Sequence, residues 1–171
     1  SEISVADRLI LPGVGAFPAA MRRLNDLGFT DMLHEHTLIK QKLTLGICLG
    51  MQLLADRGTE FSECDGLGWI PGHVRPIPRP TPELRLPHIG WNEVNIKEQS
   101  GLFADIDGDT SYYFVHSFQF IASNSDYVTA TTCYGSSVTA AVARENIYGT
   151  QFHPEKSQRV GLSVLDNFAR L

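Results

Sequence analysis

Cys48 stands between two glycines, in surroundings typical of a reactive nucleophile. The apolar run of residues 43–47 leads to this cysteine, and Gly46 and Gly50 lie two residues to either side of it. The stretch from Leu49 to Arg57 follows at once and favours a helix. The pattern predicts a nucleophile elbow, a strained strand-to-helix turn in which a side chain at either flanking position would crowd the backbone.

A cysteine at this position has two interpretations. The free N–H groups at the start of the helix would lower the pKa of the thiol and favour the thiolate, which is the nucleophile. Alternatively, Cys48 is a buried structural residue, because most free cysteines behave as small core residues. The five residues around Cys48 favour neither interpretation over the other.

A second group that could do chemistry lies near the C-terminus, at His153 and Glu155. Residues two apart in an extended segment project from the same face, and Pro154 restricts the backbone between them. A cysteine nucleophile needs a base of this kind, oriented by a third group. Taken alone, a loop histidine beside a solvated glutamate is the commoner arrangement. Together with an elbow at Cys48, the pair is better explained as a base and its orienting carboxylate.

The loop Gly13-Val14-Gly15 is a candidate for stabilising negative charge. Acyl transfer to a thiol builds negative charge on a carbonyl oxygen, which backbone N–H groups must meet. The loop, at Val14 and Gly15, would supply one donor, and the N–H of Leu49 the other. A tight turn before a helix explains the two glycines equally well.

The elements around these residues predict an α/β fold in a single domain, residues 1–171. A strand over residues 6–13, a helix from Pro18 to Gly28, a second helical stretch over 31–40 and the elbow strand alternate along the chain, which is typical of a parallel sheet. Residues 59–87 are rich in glycine and proline and predict mostly irregular structure, with a short strand at 73–75.

The second half of the chain predicts strands without long helices between them. These strands cover residues 91–96, 112–120 and 127–133, and a hairpin joins 138–144 to 147–152 through a two-residue turn. A C-terminal helix follows, with Ser157 as its expected cap.

Composition excludes several classes of function. The chain has 171 residues, 43% of them apolar and 19% charged, and a net charge of −5 without blocks of like charge, which argues against nucleic-acid binding. Its three cysteines are too few and too far apart for a disulfide framework or a zinc motif. No apolar run is long enough to span a membrane. We expect a cytoplasmic, reduced protein with no metal, no cofactor and no membrane partner.

Five segments resemble the glutaminase subunits of imidazole glycerol phosphate synthase, within the class I (triad) glutamine amidotransferases. They are LPGVGAF (11–17), LGICLGMQLL (45–54), PHIGWN (87–92), YFVHS (113–117) and QFHPEKS (151–157), in this order along the whole chain. The resemblance implies a three-layer, flavodoxin-like α/β fold, with a mostly parallel central sheet and a small antiparallel sheet. It implies hydrolysis of L-glutamine, with the ammonia passing through a tunnel to a (βα)8-barrel subunit. That subunit makes imidazole glycerol phosphate and aminoimidazole carboxamide ribonucleotide for histidine biosynthesis.

The resemblance also implies roles for individual residues. Cys48 becomes the nucleophile, His153 the general base and acid, and Glu155 the group that orients it. The glutamine-binding positions are Gly50, Gln52, Glu60, His116, Ser117 and Phe118. The positions facing the synthase subunit are Gly90, Trp91 and Asn92.

The roles of Glu60 and Trp91 are less specific than the others, and the resemblance has a further implication for the loop at Val14. Glu60 lies in a less acidic run than the family usually has, and Trp91 is equally well explained as a core or half-buried tryptophan. In the family, the peptide at Val14 is thought to turn toward the oxyanion only when the synthase subunit holds its nucleotide.

The chain departs from the family at its N-terminus. The family begins with a strand, a helix and another strand before the segment that matches residues 6–13, and Ser1 lies almost at that segment. Either the sequence is a piece of a longer chain or something else fills the gap, and we expect apolar strand edges to be exposed there.

Other functions remain open from the sequence. One is a paralogous glutaminase that supplies ammonia for amidino-sugar synthesis in surface polysaccharide. Another is a stand-alone cysteine hydrolase built on the same elbow. A third is a catalytically impaired fragment that retains only the surface facing the synthase.

Overall fold

Two β-sheets form the framework of the chain, which the computed structural model describes over residues 2–79, 81–106 and 109–171. The strands, in chain order, are β1 Arg8–Gly13, β2 Leu43–Cys48, β3 Arg57–Gly58, β4 Cys64–Asp65, β5 Gly72–Pro76, β6 His88–Ile96, β7 Asp109–His116, β8 Phe118–Ala122, β9 Val128–Cys133, β10 Ser137–Arg144 and β11 Ile147–Thr150. The helices are α1 Glu2–Val5, α2 Phe17–Asp26, α3 Phe29–His34, α4 Leu49–Leu53 and α5 Gln158–Arg170. A π-helical turn, Glu35–Ile39, continues α3, and 3-10 turns lie at Gly101–Phe103, Ser125–Tyr127 and Pro154–Lys156.

The larger sheet has seven strands in the order β1-β2-β11-β10-β9-β6-β7. The pairs β1–β2 and β2–β11 are parallel, and the other four pairs are antiparallel. The α/β class is as expected. The expectation of a mostly parallel central sheet was wrong, because most of the strand pairs in this sheet are antiparallel. The second half of the chain lacks the helical crossovers that parallel neighbours require, so its strands return antiparallel.

The smaller sheet has the order β4-β3-β5-β8. It is also mixed, since β3 and β5 run parallel while β3–β4 and β5–β8 are antiparallel. The single strand predicted over 112–120 was wrong. The chain leaves the large sheet at His116, and after Ser117 it enters the small sheet as β8.

The core lies on both faces of the large sheet. Phe17 and Met21 of α2 pack with Leu49 and Met51 of α4 and with the small sheet on one face. On the other face, residues from β2, β6 and β7 pack against α5. The short strand β2 is therefore covered on both sides, as its unbroken apolar sequence requires.

Helix α5 covers its face of the sheet without the expected cap. It begins after Ser157 as predicted, but the Ser157 side chain does not cap it. The Ser157 hydroxyl accepts a hydrogen bond from the N–H of Tyr113 and donates one to the carbonyl of His153. The Ser157 side chain therefore bonds to strand β7 and to the segment before α5, and it makes no hydrogen bond to the N–H groups at the start of that helix.

The helix after the elbow is shorter than expected. The sequence favours helix to Arg57, yet α4 ends at Leu53, and the N–H groups of Leu67 and Trp69 bond to the carbonyls of Leu53 and Leu54. Tertiary contacts with a neighbouring loop therefore replace the last helical turns. Strand β1 forms one edge of the large sheet, where Ile10 is 48% exposed, in agreement with the expected apolar edge. Among the residues described, none of the helices combines the length and the apolar character needed to cross a membrane.

Candidate active site

Cys48 occupies the elbow that the sequence predicts. Strand β2 ends at Cys48 and α4 begins at the next residue, with Cys48 held at φ 55° and ψ −110°. A Cβ on Gly50 would lie 1.8 Å from the Leu11 carbonyl oxygen, and one on Gly46 would lie 2.6 Å from the Gly50 carbonyl oxygen. Both glycines are therefore required sterically, because no side chain fits where backbone lies so close.

The parallel part of the sheet gathers the other candidate residues at one edge. Gly13 at the end of β1 is the register partner of Cys48, and Thr150 at the end of β11 is the partner of Ile47. The segments that follow these strands, Val14-Gly15 and 151–153, consequently emerge beside the thiol. Ligand sites of α/β sheets lie at this edge, beyond the carboxyl ends of parallel strands.

His153 and Glu155 form a hydrogen-bonded pair. The Nδ1 atom of the buried imidazole lies 2.7 Å from Oε1 of Glu155, whose side chain is partly exposed. The Nε2 atom is buried and has no hydrogen-bond partner among the described residues. A carboxylate accepts from Nδ1–H, so the lone pair resides on Nε2. The pair is thus a base whose tautomer is set by the carboxylate.

A single cavity of about 270 Å³ brings most of the candidate residues together. This volume lies just below the roughly 300–1,000 Å³ of drug-sized ligand pockets and suits a smaller molecule. The candidate residues on its wall are Val14, Gly15, Cys48, Leu49, Gln52, Glu60, His116, Ser117, Phe118 and His153, together with Pro87 and Val115.

The thiol of Cys48 is less acidic than the sequence predicts. Burial raises its pKa to about 11 and outweighs the N–H of Leu49 and the amide of Gln151, both of which stabilise the thiolate. The negative charge of Glu155 contributes to the raised pKa, and the positive charge of Lys156 opposes it. The expectation of a lowered pKa was therefore wrong, because the cost of burying the charged sulfur exceeds the effect of the short helix. At rest Cys48 is therefore a neutral thiol, which would have to lose its proton to a base before the sulfur could act as a nucleophile.

Glu60 and Gln52 are held by hydrogen bonds on the cavity wall. One carboxylate oxygen of Glu60, Oε2, accepts from the N–H of Phe17 at the start of α2, at 2.7 Å. The amide of Gln52 donates to the carbonyl of Phe118 at 3.2 Å and to Oε1 of Gln151 at 3.0 Å. A fixed carboxylate in a small cavity suits a cationic group, such as the α-ammonium of an amino acid.

Several of the candidate residues lie outside the cavity wall. Gly50 packs its backbone against Leu11. Gly90, Trp91 and Asn92 belong to β6, where Trp91 is 48% exposed and neighbouring Ile89 is 59% exposed. Trp91 is therefore half-buried, which excludes a core position and leaves both a half-buried structural role and contact with a partner open.

The sequence interpretation missed two residues at this site. Gln151 is fully buried, and its amide nitrogen lies 3.8 Å from the Cys48 sulfur. His88 contacts His116 at the edge of the cavity. Gln151 lies two residues before His153, on the same face of the extended segment, and this spacing was the available signal. The contact of His88 depends on strand register and had no local signal.

The chain matches a known family over nearly its whole length. The profile of the family described as glutamine amidotransferase class-I covers residues 2–170. The chain therefore belongs to the class-I glutamine amidotransferase family.

Within this family, the chain is similar to several curated subunits of one enzyme. The chain is 49% identical over 166 residues to imidazole glycerol phosphate synthase subunit HisH 2 of Vibrio vulnificus, covering 97% of this chain and 77% of that protein. It is 46% identical over 170 residues to subunit HisH 1 of Campylobacter jejuni, covering 99% and 84%. It is 44% identical over 172 residues to subunit HisH of Pelagibacter ubique, covering 100% and 83%.

Solved structures share the fold. A crystal structure of a glutamine amidotransferase superposes with a TM-score of 0.68 at 19% identity, covering 95% of this chain and 79% of that one. The glutaminase domain of Trypanosoma brucei CTPS with bound acivicin gives a TM-score of 0.64 at 18% identity, covering 99% and 73%.

Proposed function

We propose that the chain hydrolyses L-glutamine to glutamate and ammonia, as the glutaminase subunit of imidazole glycerol phosphate synthase in histidine biosynthesis. One observation carries the chemistry: a strained elbow presents Cys48 to the same small cavity as the unpaired Nε2 of His153, whose other nitrogen is bound by Glu155. Membership of the family and the subunits named above support the pathway.

The reaction begins with proton transfer from the thiol. His153 Nε2 takes the proton of Cys48 while the sulfur attacks the carboxamide carbon of glutamine, which leaves a negative oxygen and a positive imidazole. The N–H of Leu49 and one peptide N–H of the Val14–Gly15 loop are the proposed donors to that oxygen. The imidazolium then protonates the departing nitrogen, so ammonia leaves and a thioester remains on Cys48.

Water completes the cycle. His153 takes a proton from a water molecule that attacks the thioester, and returns it to the departing sulfur, so glutamate is released and the neutral thiol is restored. Glu155 holds the imidazole in the required tautomer and stabilises its positive form in both steps. A thiol with a raised pKa fits this sequence, because the proton moves only when substrate fills the cavity and excludes water.

Other residues of the cavity wall suit the amino-acid end of the substrate. In this proposal the carboxylate of Glu60 accepts the α-ammonium group, and the segment 116–118, on the wall of the same cavity, supplies backbone and hydroxyl groups for the α-carboxylate. Gln52 holds that segment through the Phe118 carbonyl.

We propose that the partner is a (βα)8-barrel synthase subunit and that it docks on the surface containing Gly90, Trp91 and Asn92. Exposed aromatic and apolar side chains side by side are typical of the centre of an interface, and both Trp91 and Ile89 are about half exposed. Ammonia released in the cavity would pass to the barrel without entering solvent. A cytoplasmic location agrees with three cysteines that are all unpaired.

The test uses a chloromethyl ketone of glutamine, an electrophile that alkylates a nucleophile only where the amino-acid end is bound. We expect one adduct, on Cys48, that excess glutamine prevents, with Cys64 and Cys133 unmodified in the same digest. Modification of all three cysteines irrespective of glutamine would contradict a glutamine site at Cys48. The same adduct without any protection by glutamine would favour a cysteine hydrolase of another specificity.

A further inference from the structure

A line of buried and partly buried hydrogen bonds runs from strand β6 to the cavity through His88 and His116, neither of which is a proposed catalytic group. The amide nitrogen of Asn92 lies 3.2 Å from Nε2 of His88, and Nδ1 of His88 lies 3.1 Å from Nε2 of His116. Nδ1 of His116 in turn lies 2.7 Å from the carbonyl oxygen of Phe118. His88 and His116 are register partners on β6 and β7, so the pairing of the two strands sets this contact.

The protons on this line have a single consistent arrangement. A carbonyl oxygen only accepts, so His116 must carry its proton on Nδ1 and offer a lone pair at Nε2. His88 must then donate from Nδ1 and accept at Nε2 from the amide of Asn92. The other amide hydrogen of Asn92 points to the carbonyl of Cys133 at 2.8 Å, and its Oδ1 accepts from the N–H of Glu93. The Phe118 carbonyl at one end and the Asn92 amide at the other are therefore both consistent with this direction of the bonds between them.

Packing around His88 and His116 favours the neutral form of both imidazole rings and restricts their orientation. His88 is 2% exposed and stacks between Phe114 at 4.7 Å and Tyr134 at 4.0 Å, measured between ring centroids. Burial lowers the pKa of His88 and that of His116 to about 4. A neutral ring has one donor and one acceptor, which is what this arrangement uses.

The line continues to the nucleophile. The Phe118 carbonyl also accepts from the amide of Gln52, which donates its second hydrogen to Oε1 of Gln151. The amide of Gln151 then points to the sulfur of Cys48. His88 therefore bonds directly to one residue of the cavity wall, His116, which is connected through the Phe118 carbonyl to Gln52 on the same wall.

We propose that His88 is a positioning residue for glutamine hydrolysis, acting through His116 and the Phe118 carbonyl on the substrate side of the cavity. The proposal rests on the proposed function and adds a residue to it. The Nδ1–H of His88 holds His116 in the tautomer that donates to the carbonyl. In the other tautomer a lone pair of His116 would face the carbonyl oxygen across 2.7 Å, and the segment 116–118 would have to move.

Two amide substitutions at one position separate the hydrogen bond from the packing. The side-chain nitrogen of asparagine takes the place of Nδ1, so His88→Asn keeps the donor to His116. Glutamine reaches only the place of Nε2, so His88→Gln loses that donor and keeps a partner for Asn92. Both variants lose the same aromatic stacking, and the difference between them reports the bond to His116.

The kinetic test measures glutamine hydrolysis by the full chain in complex with its synthase subunit. We expect His88→Gln to raise the KM for glutamine about tenfold over His88→Asn, as for one lost bond to a buried group, with kcat changed less than KM. Equal KM values in the two variants, with the wild type active, would overturn the proposal.

The tautomer of His116 provides a readout that needs no activity. ¹⁵N NMR of histidine-labelled chain should show the Nδ1–H form of His116 in the wild type and in His88→Asn, and a smaller fraction of that form in His88→Gln, where only the Phe118 carbonyl still favours it. An Nε2–H form of His116 in the wild type would overturn the proposal. A wild type that shows the expected tautomer but no hydrolysis would instead contradict the proposed function.

Discussion

At the scale of single residues, the site depends on a buried thiol and a histidine that share one cavity. Burial raises the pKa of Cys48 to about 11 despite the N–H of Leu49 and the amide of Gln151. The thiol of Cys48 is therefore protonated at neutral pH, and the proposed mechanism relies on His153 to take its proton during the reaction. A permanent thiolate would react with any electrophile in the cell, whereas the proposed mechanism activates this thiol only when substrate fills the cavity.

The raised pKa predicts how Cys48 reacts with a small alkylating agent. In the free chain, the rate of modification of Cys48 by iodoacetamide should be low at pH 7 and should rise about tenfold per pH unit until the pH approaches 11, because only the thiolate reacts. Mass spectrometry of the peptide containing Cys48 measures this rate, with Cys133, an exposed cysteine, as the internal control. A modification rate for Cys48 that levels off below pH 8 would show that the pKa of its thiol is low, and this would contradict the raised pKa.

Substitutions at His153 and Glu155 should differ in effect. His153→Ala removes the proton acceptor and should reduce kcat by at least about 1,000-fold, within the range known for essential bases. Glu155→Gln keeps a group that can accept from Nδ1–H but removes the negative charge, so the reduction should be smaller. Steady-state glutamate formation measures both. Equal losses would mean that Glu155 does more than orient the imidazole.

At the scale of elements, the chemistry follows from the way β1, β2 and β11 end at one edge. The elbow was predictable because its requirements are local: two glycines, an apolar run and a cysteine at fixed spacing. His153 and Glu155 were predictable for the same reason. The contact between His88 and His116 was not predictable, because 28 residues separate them and only the register of β6 and β7 brings them together.

The same distinction explains the errors in the predicted elements. The helix after Cys48 ends at Leu53 because the carbonyls of Leu53 and Leu54 bond to a loop 14 or more residues away, a contact that helix propensity does not include. The strand predicted over 112–120 divides at Ser117 because the chain passes between sheets there. The raised pKa of Cys48 likewise depends on burial by distant residues.

The close approach of Gly50 to β1 predicts a large loss of stability on substitution. Gly50→Ala places a methyl group 1.8 Å from the Leu11 carbonyl oxygen, so the elbow must open, at a cost above about 3 kcal/mol. Gly28→Asn is the matched control, since Gly28 has φ 67° with open space around it and asparagine tolerates this region at a cost below about 1 kcal/mol. Denaturant unfolding measures both, and equal losses would contradict the steric argument.

At the scale of the whole molecule, the neighbouring strands β6 and β7 carry both a residue of the cavity wall, His116, and the surface proposed for the partner, which contains Trp91. Strands β6 and β7 extend from the cavity to Trp91, and the bonds of Asn92, His88 and His116 lie along them. The fold thus provides a polar, buried connection between the proposed interface and the substrate pocket.

This buried connection predicts a dependence of stability on pH. Burial lowers the pKa of His88 and His116 from 6.5 to about 4, so the unfolded chain binds protons first as the pH falls. Their contribution to stability is fully present above pH 6.5 and is lost progressively toward pH 4. The thermal midpoint should therefore fall across this window, and more steeply in the wild type than in His88→Asn. Equal slopes in the two proteins would contradict neutral burial of His88.

The most direct test of the whole account is the rate of ammonia release from glutamine by the full chain, free and in complex with the barrel subunit and its ribonucleotide ligand. We expect slow hydrolysis by the free chain and an increase of at least about 100-fold in the liganded complex, the effect of gaining one oxyanion donor at the Val14–Gly15 loop. In that complex, Cys48→Ser should retain no more than about a few per cent of the wild-type rate, because a hydroxyl is far less acidic than a thiol. Full activity in the free chain would contradict activation by a partner, and a fast serine variant would contradict Cys48 as the nucleophile.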